Sequence, residues 1–211
     1  MKRKLVLFLG LAGLPLVLGG CFFNVFQTAK TLDQGQVLFG FGLGSFIGVG
    51  EETTLAPFYT PQMQFGVGLA DGFQLTLQAG AVALLGDEDT GIQFGGASGE
   101  FKARLFDEPD AFALAMGFGG GWDLSHLGWG VHGSLYFDSN VPLMPVYFVW
   151  RPILSFGGGD GEGVAFFHQF AAGLHLALSE TATLLLEADY HTIWWAEMGV
   201  LGFGVALLFS F

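Results

Sequence analysis

The chain has 211 residues, of which 52% are apolar and only 12% charged, with a formal net charge of −12 at neutral pH. That length suits one domain. The acidic balance argues against a nucleic-acid partner, because phosphate binding needs a basic surface. The single cysteine excludes an intramolecular disulfide.

Lys2, Arg3 and Lys4 precede an apolar run from Leu5 to Leu18, and Gly19-Gly20-Cys21 follows. A basic start, a short apolar stretch and small residues before the break predict a secretory signal over 1–20 rather than a spanning helix. Without that segment, the basic residues are Lys30, Lys102, Arg104 and Arg151, against 19 acids. Residues 21–35 are expected to form a polar-leaning tether.

From Gln36 onward, segments of about ten residues recur between turn signals. Their alternation predicts strands over Gln36–Val49, Gln62–Ala70, Phe73–Leu85, Ala97–Phe106, Ala111–Leu124, Trp129–Asp138, Leu143–Phe156, Val164–Ser179, Ala182–Trp195 and Gly199–Phe211. Met63, Phe65, Val67 and Leu69 alternate with Gln64, Gly66 and Gly68. Phe73, Leu75 and Leu77 oppose Gln74, Thr76 and Gln78. A period of two excludes amphipathic helices here. A soluble sandwich would alternate as well, but with far more charge on its outer face. Transmembrane strands need about 9–11 residues each, so the sequence predicts an all-β, antiparallel, up-and-down transmembrane barrel of about ten strands over 36–211. Eight or twelve strands are the alternatives. They turn on Leu85–Gly99, where Ile92-Gln93-Phe94 is out of phase with Phe101-Lys102-Ala103-Arg104, through either a bulge or a long loop.

The links alternate between short ones, such as Asp71-Gly72 and Glu180-Thr181, and mostly longer ones, such as Gly50–Pro61 and Gly157–Gly163. With both termini periplasmic, the short set lies inside and the long set outside. Trp122, Trp129, Trp194 and Trp195 then fall near the external strand ends as an aromatic belt.

The last strand carries Leu201, Phe203, Val205, Leu207 and Phe209 on one face and mostly small residues on the other, and it ends at Phe211. It resembles the closing strand of bacterial outer-membrane β-barrels. The resemblance implies that Phe209 and Phe211 act as an insertion signal read by the barrel-insertion machinery, in the outer membrane of a Gram-negative-type bacterium. Gly19-Gly20-Cys21 resembles the lipobox of bacterial lipoproteins, which implies cleavage before Cys21, acylation of its sulfur and an N-terminus anchored in the periplasm.

A narrow lumen is expected to hold Glu100, Lys102, Arg104, Arg151, Glu187, Asp189 and His191 as a polar network. Charges cut off from water must pair, so the three cations are expected to bond the three carboxylates. Glu187, Asp189 and His191 also share one face of a strand, an arrangement to weigh as catalytic, but no convincing serine partner accompanies them. Neither a cofactor nor a metal site is expected. The acidic loops lack the spacing of a calcium loop, and the glycine run at 157–163 lacks the Lys and helix of a phosphate loop.

These observations favour a non-enzymatic outer-membrane barrel lipoprotein, either a structural or surface protein or a narrow channel for a small solute. A barrel that binds a lipid or other hydrophobic ligand at its mouth, beside Trp122, Trp194 and Trp195, is the alternative. A lipid-modifying or proteolytic enzyme is the third.

Overall fold

The computed structural model describes residues 24–49, 58–84, 91–108, 111–123, 128–139, 141, 144–157, 163–193 and 198–211. Ten strands run in chain order: β1 Val37–Val49, β2 Phe58–Ala70, β3 Phe73–Leu84, β4 Gly91–Asp107 and β5 Phe112–Asp123, then β6 Gly128–Ser139, β7 Val146–Phe156, β8 Val164–Ala177, β9 Ala182–Ile193 and β10 Met198–Ser210. Each pairs antiparallel with its sequence neighbours, and β1 pairs with β10, so the sheet closes into a barrel. Closure leaves no edge strand and satisfies the backbone within the sheet, as hydrocarbon surroundings demand.

Two strands start several residues earlier than their patterns predict. β2 begins at Phe58 because the alternation passes through Pro61, which sits exposed on the outer face opposite Leu43. A proline lacks the N–H of a ladder, so it looks like a strand boundary in the sequence. β4 begins at Gly91. Gly80 faces Gly96 while Ala81 faces Phe94, so Gly95 is an extra residue and the phase flips there. The out-of-phase stretch is therefore a bulge inside a long strand, and the strand count is ten.

The two faces have opposite character. Phe65 (44% exposed), Leu77 (49%), Phe101 (61%), Phe118 (66%) and Phe203 (55%) project outward. Gln62, Gln64, Gln74, Gln78, Glu100, Lys102, Arg151 and Glu187 are buried inside. A soluble protein does not surround itself with such a continuous apolar surface. Apolar outside and polar inside is the arrangement that lipid requires.

Aromatic residues mark both ends of the outer surface. Trp122 and Trp129 face each other across β5 and β6, and Trp129 stacks on Phe156 with centroids 4.4 Å apart. At the other end, where β1 begins and β10 finishes, Phe106, Phe112, Phe137 and Phe148 form a chain of rings with centroids 5.0, 5.5 and 6.4 Å apart. Trp194 and Trp195 lie outside the described residues. That second end is called the terminal end below, and the opposite one the far end.

Leu77 pairs with Phe65 on the outer face. Leu77→Arg is expected to cost about 2–4 kcal/mol if the site lies near the bilayer midplane. Equilibrium unfolding from lipid vesicles measures it, and an unchanged stability contradicts the lipid-facing assignment.

Candidate functional site: a filled lumen

The lumen is occupied by the protein's own chain. Residues expected to form a tether fold back inside the barrel instead. Gly35, at φ +83°, makes the reversal, and its N–H bonds Gly68 O at 2.9 Å. From there, followed backwards, the chain rises from Leu32 near Gly66 to Phe26 beside Gly42 and Gly204, then to Asn24 beside Gly44. Asn24, Val25, Phe26 and Ala29 are at most 1% exposed. Glycine at 42 and 204 is what makes room, since a Cβ at either position would overlap the Phe26 ring.

Side chains of the wall, rather than strand pairing, satisfy the segment's main chain. The N–H groups of Val25 and Phe26 both donate to the Glu187 carboxylate, at 2.6 and 2.9 Å. Phe26 has φ +42°, a left-handed conformation that a bulky residue adopts at a cost of about 1–3 kcal/mol. Successive N–H groups turned toward one anion form a backbone nest. Gln78 donates to Asn24 O at 2.9 Å and Gln62 to the same oxygen at 3.4 Å. Gln64 donates to Phe26 O at 3.2 Å. Lys102 Nζ donates to Thr28 O at 2.9 Å and Lys30 O at 3.0 Å. Leu32 N–H donates to Gln74 Oε1 at 3.0 Å. Among the described residues, one side-chain bond joins these, from Asn24 Nδ2 to Asp189.

Apolar contacts complete the filling. Val25, Phe26 and Ala29 belong to one buried cluster with Ala113, Ala115, Tyr136, Tyr147, Val149, Ala171, Leu185, Ala206 and Leu208. Toward the far end, Phe46, Phe58, Val82 and Val200 form a second layer. There the Phe46 and Phe58 rings stack with centroids 5.3 Å apart, and His191 meets Phe46 edge-on at 5.6 Å.

A separate polar cluster joins β4, β6 and β7. Glu100 accepts hydrogen bonds from Ser134 Oγ at 2.7 Å, Arg151 Nη2 at 3.2 Å and the Tyr136 hydroxyl, and lies 3.0 Å from His132 Nε2. Arg151 also donates to Ser134 Oγ and to the Tyr136 hydroxyl, both at 3.0 Å. Gly117 supplies the space, because a Cβ there would come within 2.7 Å of the Glu100 carboxylate.

The expected ion pairs form only in part. Arg151 pairs with Glu100. Arg104 instead pairs with Asp107 at 3.2 Å, half-exposed near the terminal-end turn. Lys102 is taken by carbonyls of the inserted segment. Glu187 and Asp189 are held by N–H and O–H donors instead of cations: Tyr147 donates to Glu187 at 2.8 Å and Gln169 to Asp189 at 2.9 Å. His191, beside this pair in sequence, is fully buried against Phe46. Tyr136, Tyr147, Gln62 and Asp138 also belong to the interior. Their phase could have found them: Tyr136 and Asp138 share the face of His132 and Ser134. Asp138, fully buried, lies 2.7 Å from His175 Nε2. Cys21 lies outside the described residues. Beside the segment, a cavity of about 260 Å³ remains at the terminal end, lined by Gln64, Gln74, Lys102, His175 and Ser210 among others.

Barrel, apolar exterior and filled polar interior together define the class: a small membrane β-barrel of the outer-membrane fold. No protein-family model matches the chain, and no curated protein matches it in sequence. Among solved structures it is similar to the attachment invasion locus protein Ail of Yersinia pestis, at 10% identity and a TM-score of 0.41 over 84% of this chain and 99% of that one. It is also similar to the β domain of the Bordetella autotransporter BrkA, at 13% identity and a TM-score of 0.48 over 84% and 100%. The translocator domain of the autotransporter NalP from Neisseria meningitidis gives 10% and 0.44 over 86% and 90%. Identities this low transfer no activity to this chain.

Removing Glu100 strands the Arg151 charge. Glu100→Ala is expected to lose about 3–5 kcal/mol, as for other broken buried pairs. Equilibrium unfolding in detergent or lipid reads this. A loss below about 1 kcal/mol would mean that the cluster is well hydrated.

Proposed function

We propose that the protein is a non-enzymatic outer-membrane barrel closed by its own N-terminal segment, a structural or surface protein rather than an open channel. The carrying observation is the passage of Asn24–Leu32 through the middle of the lumen, bonded to Glu187, Gln62, Gln64, Gln74, Gln78 and Lys102. The terminal end, with its short links, faces the periplasm in this reading, and the Trp122–Trp129 pair sits at the outer interface. Phe209 and Phe211 serve as the insertion signal. Lipid is the surrounding partner. Catalysis finds no support in the placement of His191, whose ring is packed against Phe46 beneath an apolar layer.

Planar bilayers test the closure. The unmodified protein is expected to insert without discrete conductance steps. Gly42→Leu, which crowds the Phe26 ring, is expected to produce intermittent openings. Steady conductance from the unmodified protein overturns the reading.

Cleavage before Cys21 with acylation of its sulfur belongs to the same proposal, on the strength of the Gly19-Gly20-Cys21 sequence. The anchor would then lie within about 10 Å of extended chain from Asn24, which sits beside Gly44, past the middle of β1 toward the far end. It therefore belongs with the far-end mouth and not with the periplasmic anchorage that the lipobox resemblance implies. Intact-mass spectrometry of the membrane-extracted protein is expected to give a chain beginning at Cys21 plus a diacylglyceryl group. An unacylated mature chain refutes the anchor and leaves the closed lumen untouched.

A further inference from the structure

We infer that the lumen wall is a binding groove for a peptide threaded lengthwise through it, recognised through its main chain, with the N-terminal segment as its resident occupant. The inference rests on the closed-barrel reading and adds a ligand class to it. Its basis is where the wall's hydrogen bonds end. Among the described residues they fall on Asn24 O, Val25 N, Phe26 N, Phe26 O, Thr28 O, Lys30 O and Leu32 N. The Asn24 side chain, donating to Asp189, is the exception.

The segment runs lengthwise through the lumen, with a left-handed turn at Phe26 and a bend at Ala29. Carbonyls at Asn24, Phe26, Thr28 and Lys30, every second residue, meet donors from β2, β3 and β4. The donors are thus spaced along the length of the segment and not gathered at one end. The donors are amide or ammonium groups on long side chains, able to reach a peptide that pairs with no strand. Opposite them, Glu187 on β9 takes the two consecutive N–H groups. A wall that reads amides and carbonyls accepts many sequences. The limits it sets are space beside Gly42, Gly44 and Gly204, and a donor for Asp189 at the first position. Its ligand is accordingly a peptide of about ten residues that can turn left-handed at its third position, with side chains that fit alongside the small residues of β1, β5, β8 and β10.

The test uses the full chain, folded first. A specific protease site inserted after Gln34, in the exposed turn at Asp33–Gly35, is cut after refolding, so that the segment becomes a separable peptide. A fluorescent synthetic peptide with the sequence of residues 24–33 is then titrated in, and anisotropy is read. Saturable binding is expected. N-methylation of the Val25 and Phe26 amides in the peptide should weaken it at least tenfold, since each removes a bond to a charged acceptor. Changing Thr28 and Lys30 in the peptide to alanine should alter affinity by less than about threefold. Glu187→Gln in the barrel should weaken the unmodified peptide by about tenfold or more.

Affinity that ignores N-methylation but follows the side chains overturns main-chain recognition. A nicked barrel that releases its segment and takes up no peptide overturns the groove altogether. If the nicked segment never leaves, hydrogen exchange on the uncut protein decides. Protected amides at Val25, Phe26 and Leu32 support the groove, and exchange at free-peptide rates overturns it. Steady conductance of the uncut protein would sink the closed-barrel reading alone, because a bound peptide need not seal the lumen.

Discussion

At Asn24–Gln27, buried in the middle of the lumen, a peptide group has no neighbouring strand to bond with, and each amide and carbonyl buried without a partner costs about 1–3 kcal/mol. The interior is organised around meeting that demand for the segment at 24–32. Glu187 takes two consecutive N–H groups, and Lys102 and the glutamines of β2 and β3 take the carbonyls. An otherwise acidic wall thus gains satisfied bonds, and the carboxylates of β9 hold backbone and side-chain donors where cations would be the usual expectation. The left-handed Phe26 fits the same account, since the wall over-determines a conformation that the residue alone disfavours.

Two separate polar assemblies share the interior. The Glu100–Arg151 cluster ties β4 to β6 and β7 with a formal ion pair and hydroxyl donors. The Glu187–Asp189 assembly ties β7, β8 and β9 to the inserted segment. The first braces wall against wall and the second braces wall against segment. Only the second depends on the segment being in place, so the barrel has one half with permanent internal struts and another whose polar groups answer to an occupant.

The strands were legible because lipid and a crowded lumen impose opposite demands on alternate residues. Phe65 against Gln64, or Leu77 against Gln78, records that directly. Pro61 and the bulge at Gly95 obscured two strand starts, the first by lacking a ladder donor and the second by flipping the phase. Glu100, Lys102, Arg151, Glu187, Asp189 and His191 are buried while Arg104 lies at the terminal-end turn. None of their partners could be read from the pattern, since alternation tells which face a side chain takes and not what lies across the lumen. The inserted segment left no mark at all. Its contacts run through main-chain atoms that every residue possesses, so Asn24-Val25-Phe26-Gln27-Thr28 carries no pattern by which to recognise its seat.

Part of the segment's seat lies on the strands that complete the ring. Gly42 and Gly44 belong to β1, Gly204 to β10, and Glu187 and Asp189 to β9, so the seat straddles the junction of first and last strands. The seat is therefore whole only in the closed ring, where β1 on one side and β9 and β10 on the other meet around the segment. With β1 and β10 unpaired, the segment would have half a cradle and the sheet an open flank.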